Sequence, residues 1–187
     1  LPGLTDEEKT ALLKLARSAI TAALVEGTTV ERPADPSSAM KEKRGCFVTL
    51  HKRNALRGCI GTIEPVKPLY LCVEDNAIHS AFEDPRFPAL TKDELAEIDI
   101  EISVLTVPKI LDHRDPEELL ERLKPGIHGV ILSSGWHGST FLPQVWTQLP
   151  DKKDFLKQLC LKGGMPADAW KDKKTTVKIY EAEYFSE

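Results

Sequence analysis

Nowhere in these 187 residues does an apolar run approach the ~20 that a membrane-spanning helix needs. The start, Leu1-Pro2-Gly3-Leu4-Thr5-Asp6-Glu7-Glu8, has no basic segment leading into an apolar one, so no secretory leader is visible. The four cysteines (Cys46, Cys59, Cys72, Cys160) include no C-x-x-C pair and no small-domain disulfide spacing. These absences favour a reduced, cytoplasmic setting without membrane attachment. The five histidines (His51, His79, His113, His128, His137) form neither H-E-x-x-H nor a Cys/His cluster at zinc spacing. No metal site is therefore visible, although residues distant in sequence can still converge on an ion. Trp136, Trp146 and Trp170 are too scattered for a base-stacking platform, and a net charge of −4 disfavours broad nucleic-acid affinity.

What is present suits a single globular domain: 41% hydrophobic and 29% charged residues are ordinary values for one. The charge is unevenly spread. Lys41, Lys43, Arg44, Lys52, Arg53 and Arg57 fall together with one acid, Glu42. From Glu74 to Glu101 acids dominate: Asp75, Glu83, Asp84, Asp93, Glu94, Glu97 and Asp99 lie between them. The basic 41–57 segment is thus a candidate anion contact, set against the ordinary role of charge runs as solvated faces.

Thr5 through Glu8 reads as a capping box, and Leu13, Ala16, Ile20 and Leu24 continue at helical spacing to Gly27. A Pro- and Ser-rich connector, residues 31–38, separates this helix from the rest of the chain. The chain then repeats an order of strand, strand, helix, strand. The first copy runs through Gly45–Leu50, a tight turn at Lys52-Arg53-Asn54, Leu56–Ile63, a helix Pro68–Phe82, a short helix capped by Thr91, and the alternation Ile98–Val104. A spacer helix capped by Asp115 leads to the second copy, Gly129–Ser134, a turn Gly135–Gly138, Ser139–Trp146, a helix Lys152–Lys162 ending at Gly163-Gly164, and a strand Thr176–Phe185. The hairpins start 84 residues apart with little identity between copies. The expectation is an α+β fold, with two strand-strand-helix-strand units forming mixed or antiparallel sheets, flanking helices and an added N-terminal helix. In this reading residues 1–44 are helix and linker, 45–107 the first unit, 108–128 the spacer and 129–187 the second unit, all within one domain.

Leu56-Arg57-Gly58-Cys59-Ile60-Gly61 carries the most chemistry. On a regular strand Arg57 and Cys59 share a face, about 6–7 Å apart, and an unpartnered guanidinium beside a thiol favours the thiolate. Gly58 and Gly61 weaken a strand unless a backbone or ligand approaches closely there. Cys59 is then the candidate nucleophile and Arg57, with Gly58 and Gly61, the candidate site for an anionic group. The alternative is a small buried cysteine doing packing work. His79, four residues after Asp75 on the helix, is the candidate base, weighed against an ordinary surface histidine. Glu101, on the strand face opposite Ile98, Ile100, Ile102 and Val104, is a second candidate acid or base. Asp84-Pro85-Arg86-Phe87 reads as a rigid turn in which Asp84 bonds nearby N–H groups. Gln144, beside Pro143 on an edge or bulge, is a candidate binding residue, and His128 and His137 flank the same hairpin.

The motifs Gly45-Cys46-Phe47-Val48-Thr49-Leu50, Leu56–Gly61, Asp84–Phe87, Glu101–Leu105, His128-Gly129, Leu142–Val145, Phe155-Leu156, Leu161–Met165 and Trp170 occur in the order seen in the AMMECR family. Over nearly its whole length the chain resembles that family, also called AmmeMemoRadiSam system protein A. Gly163 departs from the Ala often found there. The resemblance implies an AMMECR-type fold of unresolved biochemistry, with a Memo-like protein and a radical S-adenosylmethionine protein as partners. No C-x-x-x-C-x-x-C cluster motif is present, so radical chemistry would belong to the partner. Three functions compete: an enzyme or enzyme component acting on a small anion through Cys59, with cofactor unspecified; a non-catalytic module contacting nucleic acid or an acidic protein through the 41–57 hairpin; and a structural partner subunit without catalysis of its own. Alkylation of Cys59 and the salt dependence of binding distinguish them.

Overall fold

The computed structural model describes residues 3–187. Among them are the helices α1 (Asp6–Leu24), α2 (Ser38–Lys41), α3 (Leu69–Phe82), α4 (Pro116–Arg122) and α5 (Lys152–Lys162). The strands are β1 (Cys46–Lys52), β2 (Ala55–Thr62), β3 (Ile98–Leu105), β4 (Lys109–Ile110), β5 (Gly129–Ser134), β6 (His137–Phe141), β7 (Thr176–Tyr180) and β8 (Ala182–Ser186). They make two four-stranded antiparallel sheets, ordered β2-β1-β3-β8 and β4-β7-β5-β6, in an α+β fold. No helix among the described residues is long and apolar enough to cross a membrane. The chain divides into two compact units: residues up to Val107 with Glu183–Glu187, and Pro108–Ala182.

In the first unit α1 begins at the expected capping box. Thr5 accepts the Glu8 N–H at 3.2 Å, and the Glu8 carboxylate accepts the Thr5 N–H at 2.8 Å. The β1–β2 turn places Arg53 and Asn54 at φ 52° and 64°, the pair of left-handed residues that a two-residue hairpin of matching twist demands. Val48 and Leu50 of β1, with Ile98, Ile100, Ile102 and Val104 of β3, pack against Leu12, Ala16 and Ile20 of α1 and Leu69, Val73 and Ala77 of α3. The alternation of apolar residues along β3 therefore decides which face the helices cover. Phe47, Thr49 and His51 point the other way, each half-buried.

The second unit packs Leu119, Val130, Leu132, Leu156, Leu159 and Val177 around Trp146 and Phe155, whose rings stack at 3.6 Å between centroids. Asp115 and Asp151 cap α4 and α5, with Pro116 opening α4. Two elements differ from the sequence reading. The strand expected over Ser139–Trp146 ends at Phe141, because Pro143 lacks an N–H and starts a 3-10 segment, Pro143–Thr147, that carries Gln144. The strand expected over Thr176–Phe185 is two strands in different sheets: Val177 and Ile179 pack on the second core, whereas Phe185 packs on the first. The edge strand β4 was too short for its periodicity to be seen.

Gly58 lets α3 reach the sheet, since a Cβ there would overlap the Ser80 carbonyl oxygen. Gly58→Ala is expected to lower stability by about 1–3 kcal/mol, read as a lower guanidinium midpoint, because helix backbone must move. Gly138→Ala, with nothing nearer than 3.6 Å to the added carbon, should change it by less than about 0.5 kcal/mol.

Candidate functional site

Thr49 stands opposite Cys59 on β2 and opposite Glu101 on β3, so the three side chains form a row across the face that the helices leave open. The Thr49 hydroxyl donates to Cys59 Sγ at 3.2 Å. Cys59 is half-buried, and its strand is the sheet edge, where backbone groups need partners from elsewhere. The turn after α3 supplies them. Asp84 accepts the Cys59 N–H at 2.8 Å, and Arg86 Nη2 donates to the Cys59 carbonyl at 3.4 Å. Arg86 in turn grips Asp84 through Nε at 2.9 Å, Nη2 at 2.7 Å and its own N–H at 3.1 Å.

These contacts set the charge states. The Arg86 guanidinium holds the buried Asp84 carboxyl well below the usual carboxylate range, helped by the Cys59 and Arg86 N–H groups. Burial pushes the Cys59 thiol up, while the Thr49 hydroxyl and the Arg86 charge pull it down and Asp84 and Glu101 add to the rise. At rest Cys59 is therefore a protonated thiol. Phe47 fills the space beside it, its ring covering Gly61 where a Cβ would collide.

Arg57 is not the thiol's cation. A bulge between Leu50 and His51 pairs Leu50 with Gly58 and His51 with Leu56, leaving Arg57 as an extra residue without a β1 partner. The guanidinium turns away from the Thr49 row to Glu94, with Nε at 3.0 Å and Nη2 at 2.9 Å. Lys52, on the pleat position of Val48 and Leu50, reaches the same carboxylate at 3.2 Å. The regular-strand geometry and the unpartnered guanidinium expected from the sequence are thereby corrected. Among the described residues Arg57 Nη1 is buried without a hydrogen-bond partner. The basic hairpin is similarly engaged: Arg53 pairs with Glu97 and Lys41 with Asp35.

The remaining candidates separate. Glu101 joins the row with Cys59. His79 sits on α3, which covers the opposite face of the sheet, and its Nε2 lies 3.9 Å from Glu83. Asp75, expected to orient His79, pairs with Lys67 instead. Gln144 belongs to the second unit. Thr49 and Arg86 were missed as partners of Cys59. The turn reading gives Asp84 nearby N–H groups and not the Cys59 amide 25 positions away, and the compact Asp-Pro-Arg-Phe motif is the available signal.

Because the folded Asp84 pKa lies below its unfolded value, its stabilisation is complete above about pH 4 and fades as pH falls further toward the folded value. Asp84→Asn is expected to cost about 2 kcal/mol in urea unfolding at pH 7. That gap should narrow at pH 3, below the unfolded carboxyl's ordinary value, because protonation there favours the unfolded wild-type chain while the folded carboxyl stays charged.

Residues 13–185 match the family model described as AMMECR1. A protein from Methanothermobacter thermautotrophicus is 40% identical over 185 residues, covering 98% of this chain and 96% of that one. One from Methanopyrus kandleri is 43% identical over 188 residues, covering 98% and 90%. The crystal structure of an uncharacterised protein from Pyrococcus horikoshii superposes with a TM-score of 0.91 at 39% identity, covering 98% of this chain and 93% of that chain. The chain is a member of the AMMECR1 family.

Proposed function

We propose that this chain is an enzyme or enzyme component that uses Cys59 as a nucleophile toward a small anionic substrate, with Arg86 as the cation that receives the anion. The observation that carries this reading is the placement of a thiol, a hydroxyl and a carboxylate on three adjacent strands, with one guanidinium anchored beside the thiol. Arg86 remains half-exposed although it holds Asp84, so it can face both its anchor and a ligand. In this reading the Arg86 charge both holds the incoming anion and offsets the negative field of Asp84 and Glu101 at the thiol. Glu101, in the same row, is the group that takes up the Cys59 proton, which leaves the thiolate as the nucleophile. Thr49 stabilises the thiolate through its hydrogen bond. The Memo-like and radical S-adenosylmethionine partners implied by the family resemblance fit a component that binds or passes on such a substrate. The basic hairpin gains no support as a nucleic-acid contact, because Lys52, Arg53 and Arg57 already face Glu94 and Glu97.

Of the four cysteines only Cys59 is not fully buried, so iodoacetamide should label it first in the folded protein. If Arg86 attracts anions, iodoacetate should gain on iodoacetamide at Cys59 by about fivefold over a small free thiol, the effect of roughly 1 kcal/mol for one charge pair in water. Arg86→Gln should remove that preference and Arg86→Lys should keep it. Equal labelling of all four thiols, or a reagent ratio indifferent to Arg86, contradicts the proposal.

A further inference from the structure

The sheet face opposite Cys59 holds a second set of sulfurs. Cys46 opens β1 and Cys72 lies in the first turn of α3, and both are sealed in the core at 0% and 1% exposure. Between them sits Asn76, also buried, one helical turn beyond Cys72. Its Nδ2 lies 3.5 Å from Cys46 Sγ, 3.4 Å from Cys72 Sγ and 3.1 Å from the Cys46 carbonyl oxygen. Its Oδ1 accepts from the Thr62 hydroxyl at 3.4 Å. A buried amide is costly unless its donors and acceptor are used, and here its donors face the two cysteines and its acceptor faces the residue paired with Cys46. Packing alone would be served by aliphatic residues and no amide.

We propose that Cys46 and Cys72 form a dithiol–disulfide redox centre, held by Asn76 and distinct from Cys59. The oxidant class is a peroxide, small enough to enter through local opening of the first turn of α3, next to the exposed Val66. Cys72 is the attacking sulfur. Hydrogen bonding to Cys46 and Thr62 and the Lys67 charge pull its ionisation down against its own burial, while burial and Cys72 push that of Cys46 up. The Cys72 thiolate attacks one peroxide oxygen, the O–O bond breaks, and the leaving hydroxide takes a proton to become water. Cys46 then attacks the Cys72 sulfenic sulfur. The S–O bond breaks, the S–S bond forms, and the departing hydroxide leaves as water with the Cys46 proton. Two thiols are oxidised and one peroxide is reduced to two waters.

The test treats the folded full-length chain with near-stoichiometric hydrogen peroxide, alkylates it under non-reducing denaturing conditions, and maps the peptides by mass. The expected result is loss of two hydrogen masses and a linked peptide pair containing Cys46 and Cys72, reversed by dithiothreitol. Cys59→Ser should leave that linkage in place, which separates this centre from the Cys59 site. In Cys46→Ser the linkage should vanish and dimedone should trap sulfenic acid at Cys72. Cys46 and Cys72 recovered as free thiols while Cys59 or Cys160 is oxidised would overturn the proposal, and the wild-type measurement decides this whether or not the variants fold.

Discussion

The bond from the Cys59 amide to the Asp84 carboxylate, 2.8 Å long, organises the first unit's open face. An edge strand normally offers its free N–H and C=O groups to water or to another chain. Here a buried carboxylate and the guanidinium that neutralises it occupy both groups of Cys59. The carboxylate tolerates burial only because Arg86 and two N–H groups satisfy it, and Arg86 is positioned only because Asp84 anchors it. Each member of the clamp is thus required by the others. A cation comes to rest beside the thiol as a consequence of closing the strand edge.

A second electrostatic arrangement explains the uneven charge of the chain. The basic hairpin and the acidic stretch after α3 fold onto each other, with Glu94 receiving both Arg57 and Lys52 and Glu97 receiving Arg53. The β2 bulge is what permits this, since it turns Arg57 out of the Cys59 row and toward Glu94. One short strand therefore serves two ends: Arg57 ties the hairpin to the 3-10 turn at Lys92–Glu94, and Cys59 faces the opposite side.

Local signals carried most of the fold. The Thr5–Glu8 and Thr91–Glu94 capping boxes, the Arg53-Asn54 turn and the period-two run along β3 all reflect interactions among residues close in sequence. What stayed hidden depends on partners far along the chain. A bulge leaves no mark in the residues 56–61 themselves, so Arg57 and Cys59 looked like neighbours on one pleat. Asp84 reaches Cys59 across 25 positions, and Asn76 reaches Cys46 across 30, distances over which spacing says nothing about contact. The splitting of the last strand was equally invisible, because Thr176–Phe185 reads as β throughout while its two halves belong to different sheets.

The electrostatics of the Cys59 row turn on one prediction about its sulfur. The pH profile of Cys59 alkylation, tracked by peptide mass in the folded protein, tests it most directly. A half-buried thiol beside Glu101 should ionise above the ordinary value of about 8.5, and Glu101→Gln should move the midpoint down. A midpoint at or below about 8.5 that ignores the loss of Glu101 would contradict the account.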